Sequence, residues 1–457
     1  MIEMKKSISG FSKLSKRGKL RWIVENFFVD PESVMRELKS YWLPNEAQQK
    51  ILDGFSENTI SNYPLPYGVA PNFVINDNTY CIPMVIEESS VVAAASAAAK
   101  FWMTRGGFKA KVISTRKVGQ VHFIWKGDFA KLQSKFPELE KILRKNAKPI
   151  TQNMEKRGGG VMDIHLKNRS HLEDDYYQLN VTFETCDSMG ANFINSVLEE
   201  FAKTLQNFII KDNDFADTEK DVMILMSILS NYTPECLVRA WVECPVEKLG
   251  TFANDIDAET FANKFCKAIR IAHIDRHRAT THNKGIFNGI DAVVLATGND
   301  FRAIEACGHT FASKDGHYRS LSHCKVEDGT FKFWMDIPLA IGTVGGLTTL
   351  HPIAKRSLEL LGNPNAEELM MVIATTGLAQ NFAAIRSLVT TGIQQGHMKM
   401  HLLNILNHLK ASQKEVDLAL EFFSNRTVSF TTVREFLNGQ RPESEQQSKA
   451  FVYKKSK

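Results

Sequence analysis

Residues 112–230 alternate between strand-like and helix-like segments in an order that few folds can accommodate. Apolar and polar side chains alternate at 118–125, whereas 129–144 repeats apolar positions at the period of an amphipathic helix. The same patterns predict further strands at 161–166, 177–183 and 222–229, and a second helix at 192–207. The order β-α-β-β-α-β is typical of a ferredoxin-like, or split βαβ, unit. The sequence therefore predicts a small domain with a four-stranded antiparallel sheet and helices on one face.

This small domain is predicted to interrupt a larger one. Residues 1–111 contain short amphipathic helices, a strand at 80–86 and a run of small residues at 91–99 with high helix propensity. The mainly apolar segment 231–391 continues the large domain, and 392–457 is predicted to form a helical C-terminal flap. The predicted fold class is α+β, with a large mixed helix/sheet domain, an inserted ferredoxin-like small domain and a helical C-terminal segment.

The composition argues against two classes of partner. Hydrophobic residues make up 43% and charged residues 23% of the 457 residues, which is ordinary for a globular chain. The net charge of +5 is spread without a basic patch, so nucleic-acid binding is not expected. The most membrane-like charge-free run, 337–354, contains two prolines and three glycines, and the basic N-terminus lacks the apolar core of a signal peptide. We therefore expect a soluble, cytoplasmic protein with no membrane span.

Cysteine and histidine spacing gives no sign of a metal site. The seven cysteines are odd in number and show no CxxC spacing, so reduced thiols in a reducing compartment are expected. His397 and His401 would share a helix face and could bind zinc in principle. Because no HExxH motif or third ligand accompanies them, no metal is predicted.

Two adjacent carboxylates and two serines, Glu87-Glu88-Ser89-Ser90, lie where a strand gives way to a helix. Carboxylates and serines at a helix start commonly act as caps for free N–H groups. One of two adjacent carboxylates can also serve as a general acid if burial raises its pKa. Both interpretations remain open from the residues alone.

A densely polar run between apolar segments is the second candidate site. It extends from Asp275 to Gly289 and includes Arg278, Lys284 and Asn288. A solvated loop would explain this composition, but the run lacks Ser/Pro enrichment and is flanked by apolar residues. The next residues predict an apolar strand that ends in ATGND at 296–300. Asp300 would then lie at the carboxyl end of a strand, where open α/β structures place function, although a simple turn would explain it equally well.

The segment DSMGAN, at residues 187–192, joins a predicted strand to a helix in the small domain. Small residues and free N–H groups at a helix N-terminus favour an anion such as a pyrophosphate. An ordinary helix start is the alternative. Because no GxGxxG motif occurs, a Rossmann fold is not supported. Taken alone, these residues fit an oxidoreductase acting on a carbonyl, or a lyase that uses a Schiff-base lysine.

Several of these segments resemble 3-hydroxy-3-methylglutaryl-CoA (HMG-CoA) reductases. EESSVVA at 87–93 resembles the family's EEPSIVAA stretch, and DSMGAN resembles its DAMGAN. RATTHNKGIFN at 278–288 and ATGND at 296–300 are near-verbatim, and GLAQN at 377–381 and GHM at 396–398 follow in the same order. The resemblance covers about residues 11–401. The short N-terminus without membrane spans resembles the bacterial, class II enzymes.

The resemblance implies a role for individual residues. The catalytic group would be Glu88, Lys284, Asp300 and His397. The HMG moiety would be held by Ser90, Asn231, Arg278, Asn288 and Gln380. The nicotinamide cofactor would be bound by Asp187, Met189, Gly190, Ala191 and Asn192. The resemblance further implies HMG-CoA, mevalonate and CoA as ligands, and a homodimer or higher oligomer of dimers with active sites at the subunit interface. A Schiff-base lyase and a non-catalytic acyl-CoA-binding relative are the alternatives.

The choice between NADPH and NADH depends on charge near the cofactor ribose. NADH selection usually needs a carboxylate for the ribose 2′-hydroxyl. The region 144–157 contains Lys145, Lys148, Lys156 and Arg157 but a single acid, Glu155. We therefore expect NADPH to be preferred.

Overall fold

The structure is a computed structural model, and it describes residues 7–392, 402–423 and 426–440. Its first part contains three helices, a hairpin and a fourth helix. The helices are α1 (Lys16–Phe27), α2 (Pro31–Ser40), α3 (Glu46–Asp53) and α4 (Val91–Met103). The antiparallel hairpin is formed by β1 (Tyr67–Ile75) and β2 (Asn78–Val85), and β3 (Lys109–Val112) follows α4.

The small domain has the predicted element order. Its elements are β4 (Lys117–Trp125), α5 (Phe129–Glu155), β5 (Gly160–Asn168), β6 (Tyr176–Glu184), α6 (Ala191–Lys211) and β7 (Val222–Ser230). The strands pair antiparallel in the order β5-β6-β4-β7, which is the ferredoxin-like arrangement. Buried side chains of α5 and α6 pack on the inward-facing residues of β4 and β6. Helix α5 extends beyond its predicted end because Ala147, Thr151 and Met154 continue its buried face past Pro149.

The large domain resumes at β8 (Leu237–Pro245). It continues with α7 (Ala258–Ile274), α8 (Arg276–Ala296), α9 (Phe301–Phe311), β9 (Ser322–Glu327), β10 (Thr330–Pro338), α10 (Leu347–Leu350), α11 (Pro352–Leu360) and α12 (Ala366–Val389). A second antiparallel sheet has the order β3-β8-β10-β9, so it joins strands from both sides of the insertion. The predicted α+β class is confirmed.

Helices α8 and α12 cross closely in the centre of the large domain. A side chain at Gly289 would lie 2.8 Å from the carbonyl oxygen of Thr376, and one at Gly377 would lie 2.7 Å from Ile290. Because these two glycines have no side chain, the backbone of each helix can lie directly against the other helix at these positions. Helix α12 is the one described helix with the length and apolarity of a membrane span, but 78% of its apolar window is buried inside the protein. It is accordingly a core helix.

The predicted apolar strand before Asp300 is wrong, and the alternative of a solvated loop at 275–289 does not hold either. Residues 276–296 form one continuous helix, capped by the side chain of Asp275. The helical pattern was hidden because two of its buried positions are polar. His282 Nε2 hydrogen-bonds Ser322, whereas its Nδ1 has no partner among the described residues. Asn283 bonds the backbone of Arg319 and Leu321.

The expectation of seven reduced thiols is also corrected. Cys266 of α7 and Cys324 of β9 form a disulfide, with a Cα–Cα distance of 5.1 Å. Fifty-eight residues separate them in sequence, so only the packing of α7 against β9 brings them together. The other five cysteines are free.

The described residues of the C-terminal part are mainly helical, as predicted. Residues 402–408 are helical, and α13 (Gln413–Phe422) and α14 (Phe430–Gln440) follow. These helices pack around a small apolar cluster of their own, which includes Leu406, Phe423 and Leu437.

Candidate functional site

Glu88 and Lys284 form an ion pair between the β2–α4 junction and α8. Lys284 Nζ donates to Glu88 Oε2 at 2.7 Å, and Asn288 Nδ2 donates to the same oxygen at 3.3 Å. Lys284 and Asn288 are four residues apart on one helix face, which is why both reach this carboxylate. The side chains of Lys284 and Glu88 are 61% and 39% exposed, so a ligand can reach the pair.

A groove beside this ion pair has a volume of about 540 Å³. Alanines of α4, including Ala94 and Ala97, form one wall, and Gln380 of α12 lies on another. Because these side chains are small, a ligand in the groove can come close to the backbone of α4. The groove therefore combines a wall of small apolar side chains with polar side chains near Glu88, as ligand pockets commonly do.

Two polar atoms in this groove are buried without a protein partner among the described residues. They are Ser90 Oγ and Gln380 Oε1. Ser90 occupies the N-cap position of α4 with φ of 78°, but its side chain makes no capping hydrogen bond within the described residues. The capping interpretation therefore does not account for Ser90. Because buried polar groups are normally hydrogen-bonded, these two atoms are candidates for contact with a polar ligand in the groove.

Arg278 and Asn231 lie apart from this groove. Arg278 is six residues before Lys284, which places it about 120° around α8. Burial lowers the pKa of Arg278, and no acidic side chain pairs with it in the described part of the chain. Asn231 follows β7 and lines a small cavity with Met189 and Ala303. A single chain therefore leaves both residues outside the groove that contains Glu88.

A second cleft, of about 630 Å³, lies between the small and large domains. Residues 188–192 line it from the small domain, and residues 298–302 and 342–348 line it from the large domain. The predicted cofactor turn and Asp300 therefore share one cleft. The same cleft extends along the C-terminal part of α5 to Arg157.

The turn at 187–192 is held rigidly against the large domain. Asp187 accepts a hydrogen bond from the backbone N–H of Ala366 at 2.8 Å through its side chain, and one from Thr343 at 2.8 Å through its carbonyl oxygen. Gly190 is the N-cap of α6, with φ of 87° and no side-chain cap within the described residues. The N–H groups of the first turn of α6 are therefore free to bind a ligand. Such a helix start suits an anionic group, such as the pyrophosphate of a dinucleotide.

Lys117 supports this turn and was not predicted. Its buried Nζ donates to Thr185 Oγ1 at 2.6 Å and to the carbonyl oxygen of Ser188 at 3.4 Å. The sequence did contain a signal, because Lys117 is in phase with the inward-facing residues Val121 and Phe123 of β4. A lysine at an inward position of a strand needs buried acceptors.

Asp300 is the N-cap of α9, where it was expected to end a strand. Its carboxylate accepts hydrogen bonds from the backbone N–H groups of Arg302 and Ala303 and from the Arg302 side chain. Burial alone would raise the pKa of Asp300, but the bonds from Arg302 and Ala303 outweigh it and lower the pKa. Asp300 is therefore an ionised carboxylate at the edge of the second cleft.

Lys284 and Asp300 lie at separate places on one chain. Twelve residue steps separate Lys284 from the end of α8 at Ala296, which corresponds to about 18 Å along the axis. Asp300 lies beyond that end and bonds to Arg302. The carboxylate therefore contacts neither Lys284 nor Glu88 within the described part of one chain.

The last predicted catalytic residue, His397, lies outside the described residues, as do Gly396 and His401. Among the described residues, no group of three or more histidine, cysteine or acidic side chains has the spacing of a metal site.

A comparison with known protein families and proteins identifies relatives of this chain. The family described as hydroxymethylglutaryl-coenzyme A reductase matches residues 21–402. A 3-hydroxy-3-methylglutaryl-coenzyme A reductase of Archaeoglobus fulgidus is 36% identical over 422 residues, which cover 92% of this chain and 91% of the relative. A probable enzyme of the same name from Borreliella burgdorferi is 32% identical, with coverage of 88% and 89%.

Solved structures show the same similarity. The class II 3-hydroxy-3-methylglutaryl-CoA reductase of Streptococcus pneumoniae, bound to NADPH in open conformations, superimposes with a TM-score of 0.68 at 35% identity. The match covers 90% of this chain and 99% of the solved chain.

Proposed function

Because the chain belongs to the hydroxymethylglutaryl-coenzyme A reductase family, we propose that it reduces (S)-HMG-CoA to (R)-mevalonate and CoA. This reaction is the reductive step of the mevalonate pathway to isoprenoids. The observation behind this proposal is the Lys284–Glu88 pair beside the groove. Two polar atoms of that groove are buried and have no partner in the described part of the chain. An acyl-CoA thioester offers both an apolar arm for the groove and polar atoms for Ser90 and Gln380.

The residue types suit each step of this reduction. A reduced nicotinamide held by the turn at 187–192 would supply the two hydrides that the thioester carbonyl carbon and then the aldehyde need. Negative charge then develops on the carbonyl oxygen, and Lys284 is the cation that would stabilise it. Glu88, hydrogen-bonded to Lys284, would deliver the proton that completes the alcohol. Expulsion of CoA as a thiolate needs an acid with a pKa near neutrality, the role we assign to His397.

The second cleft is the proposed cofactor site. Its fit to a dinucleotide rests on the uncapped first turn of α6, and Asp187, Met189, Gly190, Ala191 and Asn192 would hold the cofactor. Asp187 would act indirectly, because it ties the turn to the large domain. One cleft thus contains the proposed cofactor site and Asp300, whereas Glu88 lines the other groove and holds Lys284 beside it.

We propose that two subunits complete one active site. The length of α8 keeps Asp300 and Lys284 of one chain far apart, yet the reaction needs hydride donor and Lys284 at one carbonyl. A symmetric dimer would solve this by placing the cofactor cleft and Asp300 of one subunit against the groove of the other. Arg278 and Asn231, which lie outside the groove of their own chain, would then contact the HMG moiety only in the assembled dimer.

The test follows the absorbance of reduced nicotinamide with purified protein and HMG-CoA. We expect oxidation of the cofactor that depends on HMG-CoA. A Schiff-base lyase would instead be trapped covalently at Lys284 by borohydride in the presence of its substrate. A non-catalytic acyl-CoA-binding protein would bind HMG-CoA without consuming cofactor. Either of these results would reject the proposed function.

NADPH is the proposed reductant. Arg157, at the α5 end of the cleft, forms no ion pair with an acidic side chain in the described part of the chain. Glu155, the acid that would select NADH, is already engaged by Lys148 and Thr151. A guanidinium without a counterion at this end suits the 2′-phosphate of NADPH.

We expect kcat/KM to be at least about tenfold higher with NADPH than with NADH, and Arg157→Gln to remove most of that preference. Lys156→Gln is the matched control, because Lys156 is adjacent and exposed but does not line the cleft. Steady-state kinetics with both cofactors measures the ratio. A native preference for NADH, or an unchanged ratio in Arg157→Gln, would refute the assignment.

A further inference from the structure

Asp300 and Arg302 form a bidentate pair inside the proposed cofactor cleft. Arg302 Nε donates to Asp300 Oδ1 at 3.1 Å, and Nη2 donates to Oδ2 at 3.2 Å. Both carboxylate oxygens are thus engaged by one guanidinium. Both residues also line the cleft that contains the uncapped N-terminus of α6.

The guanidinium is not needed to cap α9. The backbone N–H groups of Arg302 and Ala303 already donate to Asp300 Oδ1, at 3.1 and 3.3 Å, as in any helix capped by aspartate. The Arg302 side chain is 76% exposed, and exposed ion pairs of this kind add little stability. The pair therefore calls for an explanation other than folding.

The charges that line the cleft suggest a role for the Asp300–Arg302 pair in binding the cofactor. Within the described part of the chain, the charged lining residues are Arg157 at the α5 end and the Asp300–Arg302 pair at the other end. A dinucleotide carries a negative pyrophosphate, and an ionised Asp300 without a counterion would repel it. Arg302 both neutralises Asp300 and offers the planar fork of donors that matches a phosphate.

We propose that Arg302 is a positioning residue that exchanges partners, holding Asp300 in the empty cleft and turning to the cofactor pyrophosphate when the cofactor binds. The exchange needs only rotation of an exposed side chain. Asp300 stays in place because the two backbone N–H groups still bind it. Its other oxygen then becomes available to the lysine of the facing active site. Cofactor binding would thereby prepare the carboxylate for catalysis. This inference rests on the proposed function.

The test compares Arg302→Gln and Arg302→Lys with Arg356→Gln. Arg356 is a suitable control because it is also exposed and paired with an acid, Glu359, but does not line the cleft. NADPH binding is measured directly by its fluorescence without HMG-CoA, and inorganic pyrophosphate is used as a competitor. Turnover at saturating NADPH and thermal unfolding are measured in parallel.

For Arg302→Gln we expect the Kd for NADPH to rise about tenfold, with a similar loss of competition by pyrophosphate. Arg302→Lys should fall between this variant and the native protein, because it keeps the charge but not the fork. Arg356→Gln should bind NADPH normally, and the unfolding temperature should not change in any of the three.

Native affinity for NADPH and pyrophosphate in Arg302→Gln would overturn the inference, even if turnover fell, because Arg302 would then act on Asp300 alone. Failure of the proposed function would look different. The native protein would then bind NADPH without consuming it in the presence of HMG-CoA, and the binding comparison among the variants would still decide the role of Arg302.

Discussion

Replacing Lys284 with alanine is expected to lower kcat for HMG-CoA reduction by about 10²–10³-fold and to leave the fold intact. The loss is that of one donor to a developing oxyanion. The fold should survive because Lys284 is 61% exposed and its pair with Glu88 contributes little to stability. The measurements are NADPH oxidation at saturating substrate and thermal unfolding followed by circular dichroism.

Lys325→Ala provides the matched control for this variant. Lys325 is also an exposed lysine paired with a glutamate, Glu327, but it lies on β9, away from both clefts. It should retain native turnover. If Lys284→Ala were also close to native in turnover, Lys284 would not stabilise the oxyanion. If it lost activity only together with its unfolding transition, the role of Lys284 would be structural.

Heterodimers that combine a Lys284→Ala subunit with an Asp300→Ala subunit are expected to recover about half of the native turnover. Each parent homodimer should be nearly inactive, because both of its sites lack one residue. If each site takes Lys284 from one subunit and Asp300 from the other, the heterodimer has one intact site and one doubly altered site. Two affinity tags allow the heterodimer to be isolated after co-expression.

The Lys284–Glu88 contact supplies the control for this experiment. Because Lys284 and Glu88 pair within one chain, a heterodimer of Lys284→Ala and Glu88→Ala has no intact site. It should stay as inactive as its parents. A Lys284→Ala/Asp300→Ala heterodimer that is no more active than its parents would contradict the shared site.

The small domain could be predicted from sequence because its signals are local. Along β4, side chains alternate strictly between buried and half-buried, and α6 buries residues at helical spacing from Ile194 to Ile209. Helix α8 was missed for the opposite reason. Its buried face includes His282 and Asn283, whose hydrogen-bond partners Ser322 and Arg319 are more than 35 positions away in the sequence. Local periodicity does not contain that information.

For the candidate site too, the sequence identified some features, and others depend on the tertiary structure. Short motifs identified Glu88, Lys284 and Asp300 as residues with chemistry, and the structure adds their partners. The Arg302 side chain on Asp300, and the distance that α8 imposes between Asp300 and Lys284, depend on where helices begin and end. The Cys266–Cys324 disulfide depends on packing between α7 and β9. None of these could be deduced from spacing in the sequence.

The decisive quantity is the number of NADPH molecules oxidised for each CoA released. Reduction of a thioester to an alcohol needs two hydrides, so the proposed function predicts a ratio of two, with mevalonate as the product. Cofactor absorbance and a thiol reagent for free CoA give both numbers from one reaction mixture. Release of CoA without oxidation of NADPH, or a ratio of one with mevaldehyde accumulating, would contradict the assignment of this chain as an HMG-CoA reductase.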